Sequence, residues 1–512
     1  MNYEYHIKKQ ENLLYKESIE NLTNERIMEF VRHFINVQRP RLQKLDAYYR
    51  GWDEGVLGVD NRRVQEGYAD YRLTHPFAQE IADFQTSFSV GNPIGVEAES
   101  KHDALDTVND YNDIDTLNND LFLDMTKYGR SVELIYRDEQ DGDNERIVRL
   151  DPLETFVIYS NDVEPTPVMA VRVTERMVID QTTSITGVIV ENPIKKHVIE
   201  YWTNDTHAVS TEMMLTDNLK ISITEPLVTM PVVEYWNNTL RTGDYENVIP
   251  LIDAYDAAQS DTANYMTDMN DAILTIKGDI DSLFDGAELM VDPTDKDAAI
   301  KLAKAKQEML NEMKNARMLL LKSGISATGT QTNVDANYIY KQYDVSGVEA
   351  YKTRLYKNIH AFSRTPDVSD DNFASNASGV AMKYKQLGVI QLAATKRRQF
   401  EKGLYRRYKI IQTLENAVSG KWDLDYNDIR FTFHDNLPQD DITTLQDLVQ
   451  AGAQFPQEYL LRFAPGGVDV DELKRMMDEQ ANDPEYTRLA QRLEAVNDDT
   501  TGTDVQVQQG AN

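Results

Sequence analysis

The sequence predicts an α+β fold, and three observations carry the prediction. Apolar residues recur at helical spacing near the start of the chain and again beyond ~248, whereas between ~128 and ~240 they recur at every second position. The chain has 512 residues and is 41% hydrophobic, enough for a real core and for about three domains. No stretch of about 18 residues is both apolar and uncharged, so no membrane-spanning helix is expected.

Residues 1–50 read as helix. Ile27, Phe30, Val31, Phe34, Val37 and Leu42 keep close to helical spacing between Glu25 and Ala47. Pro40 is expected to open a second helix, because proline fits a first turn but not a helix interior. A loop is expected from Gly51 to Gln65, then a helix over 76–90 that stops at Gly91-Asn92-Pro93.

The period then changes to two. Val132, Leu134 and Tyr136 alternate with polar neighbours, and Asp141-Gly142 before Ile147 to Leu150 signals a hairpin. Further β-rich runs lie at Phe156–Tyr159, Val168–Val173, Gly187–Val190, Val198–Trp202 and Val232–Trp236.

Helical character returns at ~248. Residues 248–276 read as one helix of about 44 Å at 1.5 Å per residue. A Lys-rich helix follows over 296–318, then a polar, turn-rich loop over 363–379. Residues 379–418 read as a helix of about 60 Å, with Gly388 and Gly403 as candidate bends. A β run at Ile429–Phe433 precedes four short helical segments between 439 and 497, and the tail from Asp498 is expected to be disordered.

Charge and motif content exclude much chemistry. The chain carries 85 Asp and Glu against 53 Lys and Arg, a net charge of −32, which argues against wrapping nucleic acid by counterion release. It leaves open a protein past which nucleic acid slides without sticking. There is no cysteine, hence no disulfide, cysteine zinc site or thiol nucleophile, as suits a reducing compartment. The start of the chain is polar and amphipathic, unlike a signal peptide. GxxxxGK[ST], GxGxxG and HExxH are all missing. His434-Asp435 sits beside a β run and reads as a loop or cap. The pairs Asp113/Asp115, Asp279/Asp281, Asp423/Asp425 and Asp469/Asp471 could chelate a hard cation but arise readily in so acidic a chain. No catalytic residue, metal or cofactor is expected.

Two helices say more. On 248–276, Ile252, Tyr255, Gln259, Thr262, Met266, Met269, Ile273 and Ile276 share one face. Asp253, Asp256, Asp261, Asp268 and Asp271 fall opposite, with no Lys or Arg in the segment. Such a face serves plain solubility, or meets a polyanion without binding it. The helix 379–418 is the reverse. Lys383, Lys385, Lys396, Arg397, Arg398, Lys402, Arg406, Arg407 and Lys409 stand against Glu401 alone over 383–409. Tyr384, Leu387, Phe400, Leu404, Tyr408 and Ile411 give it an apolar stripe. The basic residues suit docking on acidic surface, including that of an adjacent subunit, or contact with phosphates.

Several segments together resemble the portal proteins of tailed double-stranded DNA bacteriophages, of the type found in siphophages of Gram-positive hosts. They are Asp46 to Gly51, His75-Pro76-Phe77 through Ser89 to Ile94, Tyr128 to Glu133, and Leu150-Asp151-Pro152. Pro231 through Asn238, Leu251 to Tyr255 running to Asp271-Ala272, and Thr365-Pro366-Asp367 through Asn376 to Lys385 complete the set. Each is weak alone; their shared order over ~45–435 is specific.

The resemblance implies a homo-oligomeric ring, typically a dodecamer in the capsid, at the portal vertex of the virion, assembled in the host cytoplasm. Double-stranded DNA passes through the ring without sequence specificity. The implied partners are the terminase large subunit, a head-completion adaptor, and the major capsid and scaffolding proteins, with no membrane. The implied layout is N-terminal helices and a β-rich wing over 1–247, a first stem helix over 248–277 and a clip over 278–345. A second stem helix follows over 346–362, with Val348, Tyr351, Leu355 and Ile359 on one face. The tunnel loop spans 363–379, the long helix and wing return 380–438, the helical crown 439–497 and a disordered tail 498–512. The loop residues Asp367, Val368, Ser369, Asp370, Asp371, Asn372, Phe373, Ala374, Ser375 and Asn376 would then approach the DNA.

Two other readings compete. One is a head–tail connector or other structural component without a DNA channel, which an annular electron micrograph would separate. The other is a metal-dependent nuclease built on the Asp pairs, which a magnesium-dependent cleavage assay would decide.

Overall fold

The structure is a computed structural model, and it describes residues 13–58, 69–98, 102–137, 145–183, 189–268, 273–277, 298–316, 335–339, 344–367, 386–418, 422 and 424–434. The chain divides into two compact units, Met1–Asn436 and Leu437–Asn512. The second lies outside the described residues, and with it the segments expected to form the crown and the tail.

A short strand, β1 (Tyr15–Lys16), precedes α1 (Asn24–His33), whose first turn is capped by the Thr23 hydroxyl accepting from Arg26 N–H at 3.3 Å. Pro40 sits in the first turn of a second helix, as expected, although α1 leads into it without a break. The helix widens into a π-turn over Phe34–Gln38 and continues as α2 (Arg39–Tyr49). Pro40 offers no N–H to the carbonyl four residues back, and the wider turn makes room for its ring. Within the expected loop, Glu54–Leu57 closes a short helix, α3.

Next come α4 (Phe77–Val90), β2 (Gly95–Glu97), α5 (Asp103–Tyr111) and α6 (Ile114–Tyr128). Gly129 ends α6 at φ 81°, and a Cβ there would stand 2.1 Å from the Arg241 carbonyl oxygen, so only glycine fits. The hairpin signalled by Asp141-Gly142 forms between β3 (Arg130–Arg137) and β4 (Glu145–Leu150). The next strands are β5 (Thr155–Tyr159), β6 (Pro167–Thr183), β7 (Ile189–Trp202), β8 (Thr206–Ser210), β9 (Ile221–Pro226) and β10 (Val232–Trp236). They make two sheets, in the orders β1-β5-β6-β7-β8-β9 and β10-β3-β4. The separate runs expected at 187–190 and 198–202 fall in one strand, because the β6–β7 ladder continues through polar residues from Ala170↔Trp202 to Thr183↔Ile189.

Beyond the sheets, α7 (Ile249–Asp268) and β11 (Ile273–Lys277) replace the single helix expected over 248–276. Ile273 and Ile276 therefore belong to a strand. That strand pairs antiparallel with β12 (Asp335–Ile339), with α8 (Ala298–Ala316) between them in sequence. The β-branched Ile273, Thr275 and Ile276 favour the strand, and the pairing is to a segment about 60 residues away that local periodicity does not reveal. Then come α9 (Val345–Ser363), α10 (Leu387–Val418) and β13 (Arg430–Thr432), which pairs with β2.

Three apolar clusters hold the described elements. One joins α1, α2 and α4 to the six-stranded sheet and α7; a second wraps α10 in α4 to α6, β3 and β10. A third, with Val132, Leu150, Val157, Tyr159, Trp202 and Val232, bonds the two sheets.

Candidate functional site: two charged helices and the loop between them

Helix α7 turns acids inward. Asp256 is fully buried, with His75 Nδ1 2.6 Å from its Oδ1. Asp253 accepts from the Tyr48 hydroxyl at 2.7 Å, and that hydroxyl accepts from Gly55 N–H at 3.2 Å. Asp53 is 1% exposed; burial, a hydrogen bond to Asp256 and the charges of Asp256 and Asp253 push its carboxyl up to about 8. Each of these favours the neutral form of Asp53 beside Asp256. The expected outer acidic face is corrected here for Asp253 and Asp256. Segments 48–58 and 69–76 cover that side of the helix, and their donors satisfy the carboxylates. Asp261 is exposed, while the Asp268 side chain and all of Asp271 lie outside the described residues.

The same side carries a ladder of polar residues four apart. Asn264 accepts from Tyr71 N–H at 2.6 Å and donates to the Tyr71 carbonyl at 3.2 Å. Ser260 accepts from Leu73 N–H at 2.9 Å, and Asp256 meets His75. Four helical residues rise about 6 Å and two extended residues about 6.6 Å, so the helix side chains keep step with alternate residues of an extended chain.

Helix α9 packs on α7. Lys352 Nζ donates to Gln259 Oε1 at 3.3 Å, Leu355 and Ile359 are buried, and Tyr351, expected on the same face, is 48% exposed. Arg364 ends the helix at φ 56°, and Thr365 N–H donates back to the His360 carbonyl at 3.1 Å. Asp367 accepts from the Tyr356 hydroxyl at 3.1 Å, which ties the start of the following loop to the helix. The other expected loop residues, Val368 to Asn376, lie outside the described residues, as do Lys383, Lys385 and Tyr384.

Helix α10 spends several of its cations internally. Lys396 is 1% exposed, pairs with Asp244 and donates to the Thr126 hydroxyl at 3.1 Å. Arg407 is fully buried against Glu133. Neither can reach DNA or another subunit, which corrects the surface role expected of them; the compensating acids are on the chain's own β3 and the 237–245 loop. Arg397 donates to the carbonyls of Ser89 at 2.9 Å, Phe88 at 3.2 Å and His434 at 3.1 Å. Arg398, Lys402 and Lys409 are exposed and Arg406 is half-buried. Phe400, Leu404, Tyr408 and Ile411 form the expected apolar stripe, but Leu387 is 45% exposed. Gly403 lets the helix approach Tyr235 closely: a Cβ there would stand 2.2 Å from the Tyr235 ring.

Sequence reasoning missed Glu133, Asn118, Asp244 and Asp53. Glu133 sits at a polar position of an alternating strand, which reads as solvent-facing, and its partner lies 274 residues away. No local signal marks such a pair. Asp113, of the first Asp pair, takes φ 45° ahead of α6, and its backbone carbonyl accepts from Leu117 N–H at 3.1 Å. Among the described residues no helix is long and apolar enough to cross a membrane.

Comparison with known proteins decides the family. A model described as phage portal protein, SPP1 Gp6-like, matches residues 29–486. The chain belongs to the phage portal proteins. The portal protein of Clostridium phage phiCD119 is 20% identical over 472 residues, covering 88% of this chain and 95% of that relative. The matched span takes in both charged helices and the loop between them. Portal proteins are structural and non-enzymatic as a family, and serve as the DNA channel of the phage head.

Proposed function

We propose that copies of this portal protein close into a ring, a dodecamer in the capsid, whose channel passes double-stranded DNA during packaging and ejection. The adjoining partners are the terminase large subunit, the head-completion adaptor, and the major capsid and scaffolding proteins. The observation that carries the assignment of parts is topological. Helices α7 and α9 pack together, and the chain between them leaves and returns through the paired strands β11 and β12. This supports a stem of two helices with an inserted clip at 278–345, where partners bind. The loop after α9 then reaches the channel, anchored at Asp367 through Tyr356.

The physics favours such a loop as a steric guide. DNA carries one charge per about 1.7 Å, and a strongly basic wall would hold it against movement. Asp367, Asp370 and Asp371 are acidic, and Asn372, Ser375 and Asn376 are neutral and polar. Deleting 367–376 should impair packaging or DNA retention while leaving an annular particle in electron micrographs. Normal packaging by that deletion would refute the loop assignment; a solid particle from the unaltered chain would refute the ring.

A further inference from the structure

Lys402 and Arg406 of α10 face a cleft closed on its other sides by Tyr159, Glu164, Pro165, Pro167, Glu234 and Trp236. The cavity holds about 190 Å³. Glu234 is already engaged by the Tyr159 hydroxyl and by Arg241 Nε at 3.2 Å. Arg406 Nε is a buried donor without a hydrogen-bond partner. Leaving such a charged donor unmet costs free energy, which an incoming acceptor would recover. Lys402, one turn earlier, is exposed at the mouth.

We propose that this cleft is a socket for one carboxylate, an Asp or Glu side chain of an adjacent copy of the chain. The inference rests on the ring reading above and names the chemistry of one subunit contact. Charge complementarity selects the occupant: each copy carries a net −32, so any neighbour presents acids in excess. Shape and local charge argue against a phosphate backbone. Glu164 and Glu234 line the same cleft, so it lacks the run of unopposed cations that tracks a polyanion. One carboxylate can instead bond the Arg406 guanidinium and pair with Lys402.

A zero-length carbodiimide tests this on the unaltered chain, because it joins a lysine amine to a carboxylate in contact with it. Rings assembled from mixed ¹⁴N and ¹⁵N copies should yield Lys402 peptides joined to an Asp or Glu peptide of the other label. Only same-label Lys402 products, or none, would overturn the proposal. Independently, Lys402→Gln with Arg406→Gln should weaken ring association by about tenfold or more, read as mass against concentration. The monomer's thermal midpoint should fall by no more than a few degrees, since no internal hydrogen bond of Arg406 Nε is lost and only its charge attraction to Glu234 and Tyr159 goes. Wild-type ring association in the double variant overturns the socket, and if DNA retention alone falls, the cations serve phosphate instead. Should the unaltered chain form no ring at all, it is the ring reading that fails, a distinguishable result.

Discussion

Arg407 and Glu133 form an ion pair with neither side chain exposed to solvent. Arg407 Nη2 and Nε donate to Glu133 Oε2 at 2.7 and 3.1 Å, Nη1 donates to Asn118 Oδ1 at 2.8 Å, and the Tyr235 hydroxyl donates to Glu133 Oε1 at 2.8 Å. Breaking such a pair from one side strands a buried charge. Arg407→Met should destabilise the chain by about 3–5 kcal/mol, seen as a lowered thermal midpoint. Adding Glu133→Leu and Tyr235→Phe should recover much of that loss, because no charge is then stranded and only the neutral Asn118 amide loses a partner. Equal midpoints for the single and triple variants would disprove this account.

The two glycines of α10 should respond in opposite directions. At Gly403 a Cβ overlaps the Tyr235 ring, which stacks on Phe400 at 4.6 Å. At Gly388 an added Cβ has open space. Gly388→Ala should stabilise by about 0.5–1 kcal/mol through helix propensity. Gly403→Ala should destabilise by about 1–3 kcal/mol through overpacking. Calorimetry on both variants checks the contrast.

A buried acid pair gives the fold a pH dependence. Glu145 is fully buried; its burial, then the neighbouring Glu415, raise its carboxyl from 4.5 to about 8 against the opposing charge of Arg137, 3.6 Å away. The folded chain therefore binds this proton more tightly than the unfolded chain does. The sign follows: the contribution is complete below pH 4.5 and is lost as pH rises through about 8. Glu145→Gln keeps a neutral side chain at every pH. Its thermal midpoint should exceed that of the unaltered chain at pH 9, and the advantage should shrink toward pH 5.

The ladder on α7 should be the restraint on the extended segment at 69–75. Asn264→Ala removes both hydrogen bonds to Tyr71 and leaves those of Ser260 to Leu73 in place. Amide exchange at Tyr71 should accelerate about tenfold, for a loss of about 1.4 kcal/mol in local opening, with a smaller change at Leu73. Unchanged exchange at Tyr71 would mean the segment is held by something else.

The sequence by itself determined the α+β class, the β3–β4 hairpin, the helices near 77–90 and 298–316, and the apolar stripe of α10. Each rests on neighbours within about 20 residues, where periodicity and turn chemistry act directly. It also carried, in the order of its segments, the resemblance to portal proteins. Tertiary structure alone decided where the charges went. Asp256, Lys396 and Arg407 read as surface residues because a charge is costly to bury, yet each is buried beside a group from far along the chain: His75, Asp244 and Glu133. The strand at 273–277 was hidden for the same reason, since its partner at 335–339 is remote in sequence. Spacing along a chain shows which face a residue occupies; only the fold shows what that face meets.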